Sequence, residues 1–77
     1  SPAVREPLIR FQGPVLLVDN ADQFSGRARR RLAETLAAVA ASPDRAAIVA
    51  HAVGADLSDL LPGDVRVLRL TKEAAHV

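Results

Sequence analysis

The feature that most constrains this chain is Val15-Leu16-Leu17-Val18, an unbroken apolar run entered through Gly13-Pro14 and closed by Asp19-Asn20-Ala21-Asp22. Four to eight apolar residues bounded by turn signals suit a strand covered on both faces, as the strands of parallel sheets are. The run therefore predicts a strand over residues 15–19 with a polar cluster at its carboxyl end. Open α/β sheets bind their ligands at that end of the strands. The rest of the chain reads as packing around this strand.

Before it, residues 1–13 hold two prolines, a glycine and the short apolar patch Leu8-Ile9, which predicts a weak helix or an irregular approach segment. After it, residues 20–26 form a polar loop in which Asp22 or Ser25 is placed to cap a helix. Residues 27–41 predict one long helix, with Ala28, Leu32, Leu36, Val39 and Ala40 along a single buried stripe and Arg30 paired with Glu34 one turn on. Ser42-Pro43-Asp44 stops it. Residues 46–51 predict a second strand ending in His51, residues 55–61 a short helix with Leu57, Leu60 and Leu61 inward, and residues 65–70 a third strand after the turn Pro62-Gly63-Asp64. Arg66 and Arg69 suggest an edge position for that third strand, and residues 71–77 form a patternless tail.

The order β-α-β-α-β, with connections long enough for parallel crossovers, predicts a small three-layer α/β domain with a parallel sheet. With 77 residues, the chain holds one small domain or part of one. Its core is mostly Ala, Val and Leu with only two aromatics, Phe11 and Phe24, so little area is buried per residue and stability alone is marginal. There is no cysteine, which removes disulfides and thiolate zinc sites. The two histidines, His51 and His76, are isolated from each other.

A net charge of +1 is neither the basic excess of a nucleic-acid binder nor the acidity of a disordered tail, so no nucleic-acid partner is expected. No apolar segment approaches the ~20 residues that span a bilayer, and the start lacks the order of a signal peptide. A cytoplasmic chain is the expectation, and the absence of an initiating methionine points to a processed product or a fragment. Arg27, Arg29, Arg30 and Arg31 crowd the start of the long helix, where the macrodipole disfavours cations. A solvated basic face accounts for them, with an anionic partner as the alternative.

Two adjacent parallel strands ending in Asp19-Asn20 and His51 would bring these groups to one rim of the sheet. There Asp19 is the candidate metal ligand, since hard cations prefer oxygen, and His51 a candidate to hydrogen-bond a phosphate or orient water. The bland alternative is a turn aspartate and a surface histidine.

These motifs resemble the second half of an ATP-binding cassette (ABC) nucleotide-binding domain, of the exporter type, over residues 5–70. The stretch Val15-Leu16-Leu17-Val18-Asp19-Asn20-Ala21 is similar to the Walker B strand, and Ala47-Ile48-Val49-Ala50-His51 to the strand that ends in the switch histidine. Asp59-Leu60-Leu61 and Asp64-Val65-Arg66-Val67-Leu68 are similar to the short helix and aspartate-led strand that follow. The resemblance implies part of a larger P-loop NTPase-like domain. In it Asp19 and His51 would contact ATP and Mg²⁺, as part of a transporter peripheral to a membrane, once another segment or a partner chain completes the site.

The departures imply a degenerate site. Asn20 stands where the family carries its catalytic glutamate, and an amide cannot take a proton from water; a positioned general base is typically worth ~10²–10⁴-fold. Asn20, Asp22 and His51 remain the candidate catalytic positions, Asp22 two residues beyond the usual place for a base. Phe24-Ser25-Gly26 lacks the aspartate of the family's cross-dimer loop, and neither a G-x-x-x-x-G-K-[ST] loop nor a Leu-Ser-Gly-Gly-Gln signature is present. Without backbone N–H groups and a lysine to cradle phosphates, the chain cannot be an autonomous ATPase.

Two alternatives stand beside this reading. A receiver-like signalling module would need its phospho-acceptor aspartate at the end of the third strand, where Leu70-Thr71-Lys72 stands. A non-enzymatic interaction module resembling the STAS fold would need residues 8–11 in a strand paired with residues 15–18, with Asn20-Ala21-Asp22 merely opening the long helix.

Overall fold

The computed structural model describes residues 5–63. The apolar run forms the central strand β2 (Val15–Asp19), as its composition predicts. Its burial alternates: Leu16 and Val18 are buried, while Val15 and Leu17 are half-buried on the opposite side. Preceding it is a strand, not a helix or irregular segment: β1 (Leu8–Gln12) runs antiparallel to β2, with Leu8 opposite Asp19 and Gln12 opposite Val15. The cause is the two-residue link Gly13-Pro14. Gly13 has φ +60, and proline fixes a negative φ at the next position, a combination that matches the hairpin turn with glycine first. What reads along the sequence as a stop is a reversal.

A single 3-10 turn (Ala21–Gln23) leads into α1 (Gly26–Ala40). Leu32, Leu36 and Val39 are buried as the stripe predicts, but Ala28 and Ala40 are exposed, so the covered face is narrower. Arg30 and Glu34 form no ion pair. Neither candidate cap is used: Ser25 occupies the N-cap without a side-chain hydrogen bond, and Asp22 is engaged elsewhere. After α1 the chain enters β3 (Ala46–Val49), parallel to β2 with Leu16 opposite Ala47 and Val18 opposite Val49. The strand stops short of His51, although the Ala50 N–H still donates to the Val18 carbonyl at 2.8 Å.

The sheet is therefore mixed, in the order β1-β2-β3, with α1 packed on one face. Among the described residues there are two layers, and the purely parallel three-layer arrangement is not what they form. Residues 55–61 form no helix: 55–57 are irregular and 58–60 make a turn. The Asp56 carboxylate accepts the Ser58 N–H at 3.0 Å, and the Leu60 and Leu61 N–H groups donate to the Leu57 carbonyl at 2.9 and 3.1 Å, so a single turn closes and is not continued. Leu57 and Leu60 nevertheless point inward and are buried, closing the core built from Leu16, Val18, Ala21, Phe24, Leu32, Leu36 and Val39. Arg29, one of the crowded arginines, binds this segment to the helix. It donates twice to Asp59 at 2.7 Å, to the Phe24 carbonyl at 3.2 Å and to the Asp56 carbonyl at 3.1 Å. The third strand expected over 65–70, and with it the position that decides the receiver-like alternative, lies outside the described residues.

Candidate functional site

The parallel pairing of β2 and β3 brings their carboxyl ends to one rim. Asp19 ends β2, and His51 follows two residues after β3; both are exposed. The chain leaves β2 through Asn20, which adopts the left-handed conformation at φ 54, ψ 48. Asparagine tolerates this region far better than most side chains. The Asp19 Oδ1 accepts the Asn20 N–H at 2.8 Å, and the Ala21 N–H then donates to the Ala50 carbonyl at 2.9 Å, tying the turn to the end of β3.

The side chains of the turn are engaged with other parts of the protein. Asn20 Nδ2 donates to the Glu6 carbonyl at 2.8 Å, and its Oδ1 accepts from Arg5 Nε at 3.1 Å. Arg5 continues into a two-pronged pair with Asp22, at 2.9 and 3.0 Å. Asp22 also accepts the Ala52 N–H and the Gln23 side-chain amide, each at 2.9 Å. The Arg5 guanidinium, then the Ala52 N–H and Gln23, hold the Asp22 carboxyl well below the usual carboxylate range. A carboxylate so engaged is a poor proton acceptor, which weighs against Asp22 as the base. Asp19, Asn20, Asp22 and His51 do share one rim, but Asn20 and Asp22 serve there as stitches.

His51 is held differently. Its Nδ1 lies 2.8 Å from the Ala52 carbonyl, and because a carbonyl only accepts, Nδ1 is the protonated nitrogen. In the neutral ring this leaves Nε2 as an acceptor. Among the described residues the second oxygen of Asp19 and Nε2 of His51 are the acceptors these two exposed side chains leave unengaged. Among the described residues no three His, Cys, Asp or Glu side chains gather as a metal cluster. Among the described residues the donor set does not fit Mg-ATP on its own: one carboxylate oxygen is left for the cation and no loop cradles phosphates.

Sequence reasoning missed Arg5, which sits in a segment read as a mere approach and reaches its partners 15 and 17 positions away. No local pattern signals such a long-range pair. Compared with family models, curated proteins and solved structures, the chain finds no match in any of the three. Among the described residues no helix is long and apolar enough to cross a membrane.

Proposed function

We propose that this chain acts as a non-catalytic interaction module. The observation that carries the reading is the engagement of Asn20 and Asp22 with Arg5, the Glu6 carbonyl and the Ala52 N–H, which turns the residues nearest a base position into structural ties. The antiparallel pairing of β1 with β2 also supports it, because this reading requires residues 8–11 to be a strand. The test is a titration of the ¹⁵N-labelled chain with Mg-ATP. Unmoved amides at Asp19, Asn20 and His51 are expected up to millimolar nucleotide; saturable shifts there would sink the proposal.

A second reading is favoured by one specific observation, the shared rim of Asp19 and His51 with His51 Nε2 left as an acceptor. In it the chain is a non-hydrolysing part of an ABC-type nucleotide-binding domain, completed by a phosphate loop from another segment or chain within a transporter. The longest natural form of the polypeptide would then bind Mg-ATP, and Asp19→Ala would weaken that binding. Nucleotide binding indifferent to Asp19 and His51 counts against it.

A further inference from the structure

We propose that the sheet face opposite α1 is the contact between two copies of this chain. The pairing register defines the face: Leu8, Arg10 and Gln12 from β1, Val15, Leu17 and Asp19 from β2, and Ala46 and Ile48 from β3. Leu16 and Val18 point to the other side, into the core with α1. Leu8 is 57% and Ile48 60% exposed, high values for large apolar side chains beside a central strand. A shallow concavity of about 380 Å³ runs over the face between Leu8, Arg10, Leu17, Asp19, Ile48 and Ala50. The unbroken apolar run of β2 is the pattern of a strand that needs both faces covered.

The charge pattern identifies the occupant. Arg10 is opposite Leu17 and Leu8 is opposite Asp19, so the four form a rectangle with the two charges on one diagonal and the two leucines on the other. Strands lie ~4.8 Å apart and same-face residues ~6.6 Å apart along them. A two-fold axis lying between two such faces, along the leucine diagonal, brings each of the other two corners to within ~2.5 Å of the other's position. Arg10 of each copy then meets Asp19 of the other. Leu8 and Leu17 lie on the axis and face their own equivalents, and Ile48 lies ~4 Å from it, so the two copies of Ile48 flank the axis. The strands of the two copies cross at ~70°, nearer the orthogonal than the aligned way for sheets to pack, with ~10 Å between them. The long Arg10 side chain spans that gap to the carboxylate. The same patch therefore complements itself, as a closed dimer requires.

The area sets the strength. Eight same-face residues on three strands cover a footprint well under the ~800 Å² per partner of a standard interface, so the dimer is weak and transient. This inference deepens the interaction-module reading by naming its partner, and it rests on that reading.

Sedimentation equilibrium from ~10 μM to ~1 mM at low salt tests it. The wild-type mass is expected to rise toward twice the monomer and to fall back as salt is added. Arg10→Asp and Asp19→Arg should each be monomeric, because like charges then meet at both contacts, while their equimolar mixture should dimerise again. Ile48→Lys, at an exposed position, should stay folded by circular dichroism and remain monomeric. A wild type that is monomeric at 1 mM, or a mixture of the two charge variants that stays monomeric, overturns the proposal. Either outcome with the rim still silent to Mg-ATP removes the dimer alone; nucleotide shifts at the rim remove the module reading instead.

Discussion

Position 20 separates a structural role from a chemical one more sharply than any other residue. Asn20 combines a left-handed backbone with an amide bonded to the Glu6 carbonyl and to Arg5. Replacing it with glycine removes the amide but relieves the backbone. The lost bond to Glu6 is worth ~0.5–1 kcal/mol net, the exposed bond to Arg5 adds little, and the greater freedom of unfolded glycine offsets part of the relief. Asn20→Gly should therefore destabilise by about 0.5 kcal/mol. Asn20→Ala loses the same bonds without glycine's relief and without asparagine's tolerance of the left-handed region, ~1–2 kcal/mol worse than glycine, for a total of about 2 kcal/mol. Asn20→Glu should behave like Asn20→Ala and, lacking a phosphate cradle, should hydrolyse no ATP. Thermal unfolding followed by circular dichroism resolves the series, since 1 kcal/mol moves the Tm of a chain this size by ~4–8 °C. The order expected is Asn, then Gly, then Ala. Alanine at or above glycine would refute the backbone argument, and glycine equal to wild type would refute the stitching role of the amide.

Leu32→Ala, in the middle of the buried stripe, should cost ~2–5 kcal/mol, enough to abolish the cooperative urea transition of so small a core; a transition shifted by under 1 kcal/mol would show that α1 is not the main support of the sheet. Gly13→Ala should lower stability by ~1–2 kcal/mol through the backbone alone, because nothing lies within 4 Å of the added Cβ, and an unchanged melting curve would contradict the hairpin geometry. Arg29→Lys should speed amide exchange at Leu60 and Leu61 ahead of β2, and uniform exchange would refute a local clamp. The carboxyls of Asp22, Asp56 and Asp59 are all held below their ordinary range, Asp22 and Asp59 chiefly by Arg5 and Arg29 and Asp56 by the Ser58 amide. Depressed carboxyls stabilise the fold above their unfolded values near ~4, and this is lost as pH falls through the folded values. The Tm should be flat from pH 7 to 5 and drop below about pH 4, and Asp22→Asn should make the drop shallower; a Tm that rises on acidification would be incompatible with these pairs.

The elements that could be read along the chain are those whose burial is one-sided or complete. β2 announces itself as an apolar run, and α1 as a stripe at helical spacing, because both face the core directly. β1 has no such signature. All five of its residues are exposed, so no alternation marks it, and its identity rests on the conformation of Gly13-Pro14 and on hydrogen bonds to β2. Residues 55–61 show the reverse case. Leu57 and Leu60 are inward as their spacing suggests, yet the backbone closes only one turn, onto the Leu57 carbonyl, and does not continue as a helix. At the rim, the meeting of Asp19 with His51 follows from parallel strands and was foreseeable. The role of Arg5 was not, since it depends on β1 folding back to place the segment before it against the turn.

That fold-back also limits how any larger sheet can be built around these residues. β2 has two edges, and both are occupied: β1 takes one in antiparallel register and β3 takes the other in parallel. A further parallel strand cannot lie against β2. It has to pair at the other edge of β3, which no described residue occupies, or antiparallel to β1. A phosphate loop at the end of a strand on the β3 side would stand next to His51, one full strand spacing further from Asp19, ~4.8 Å nearer to the imidazole than to the carboxylate. If a nucleotide is ever bound at this rim, His51 is therefore the residue in direct reach of its phosphates, and Asp19 acts only through a cation between them. His51→Ala should then weaken binding with or without Mg²⁺, whereas Asp19→Ala should weaken it only when Mg²⁺ is present. Loss of metal-free binding in Asp19→Ala would mean that the added strand is not beyond β3.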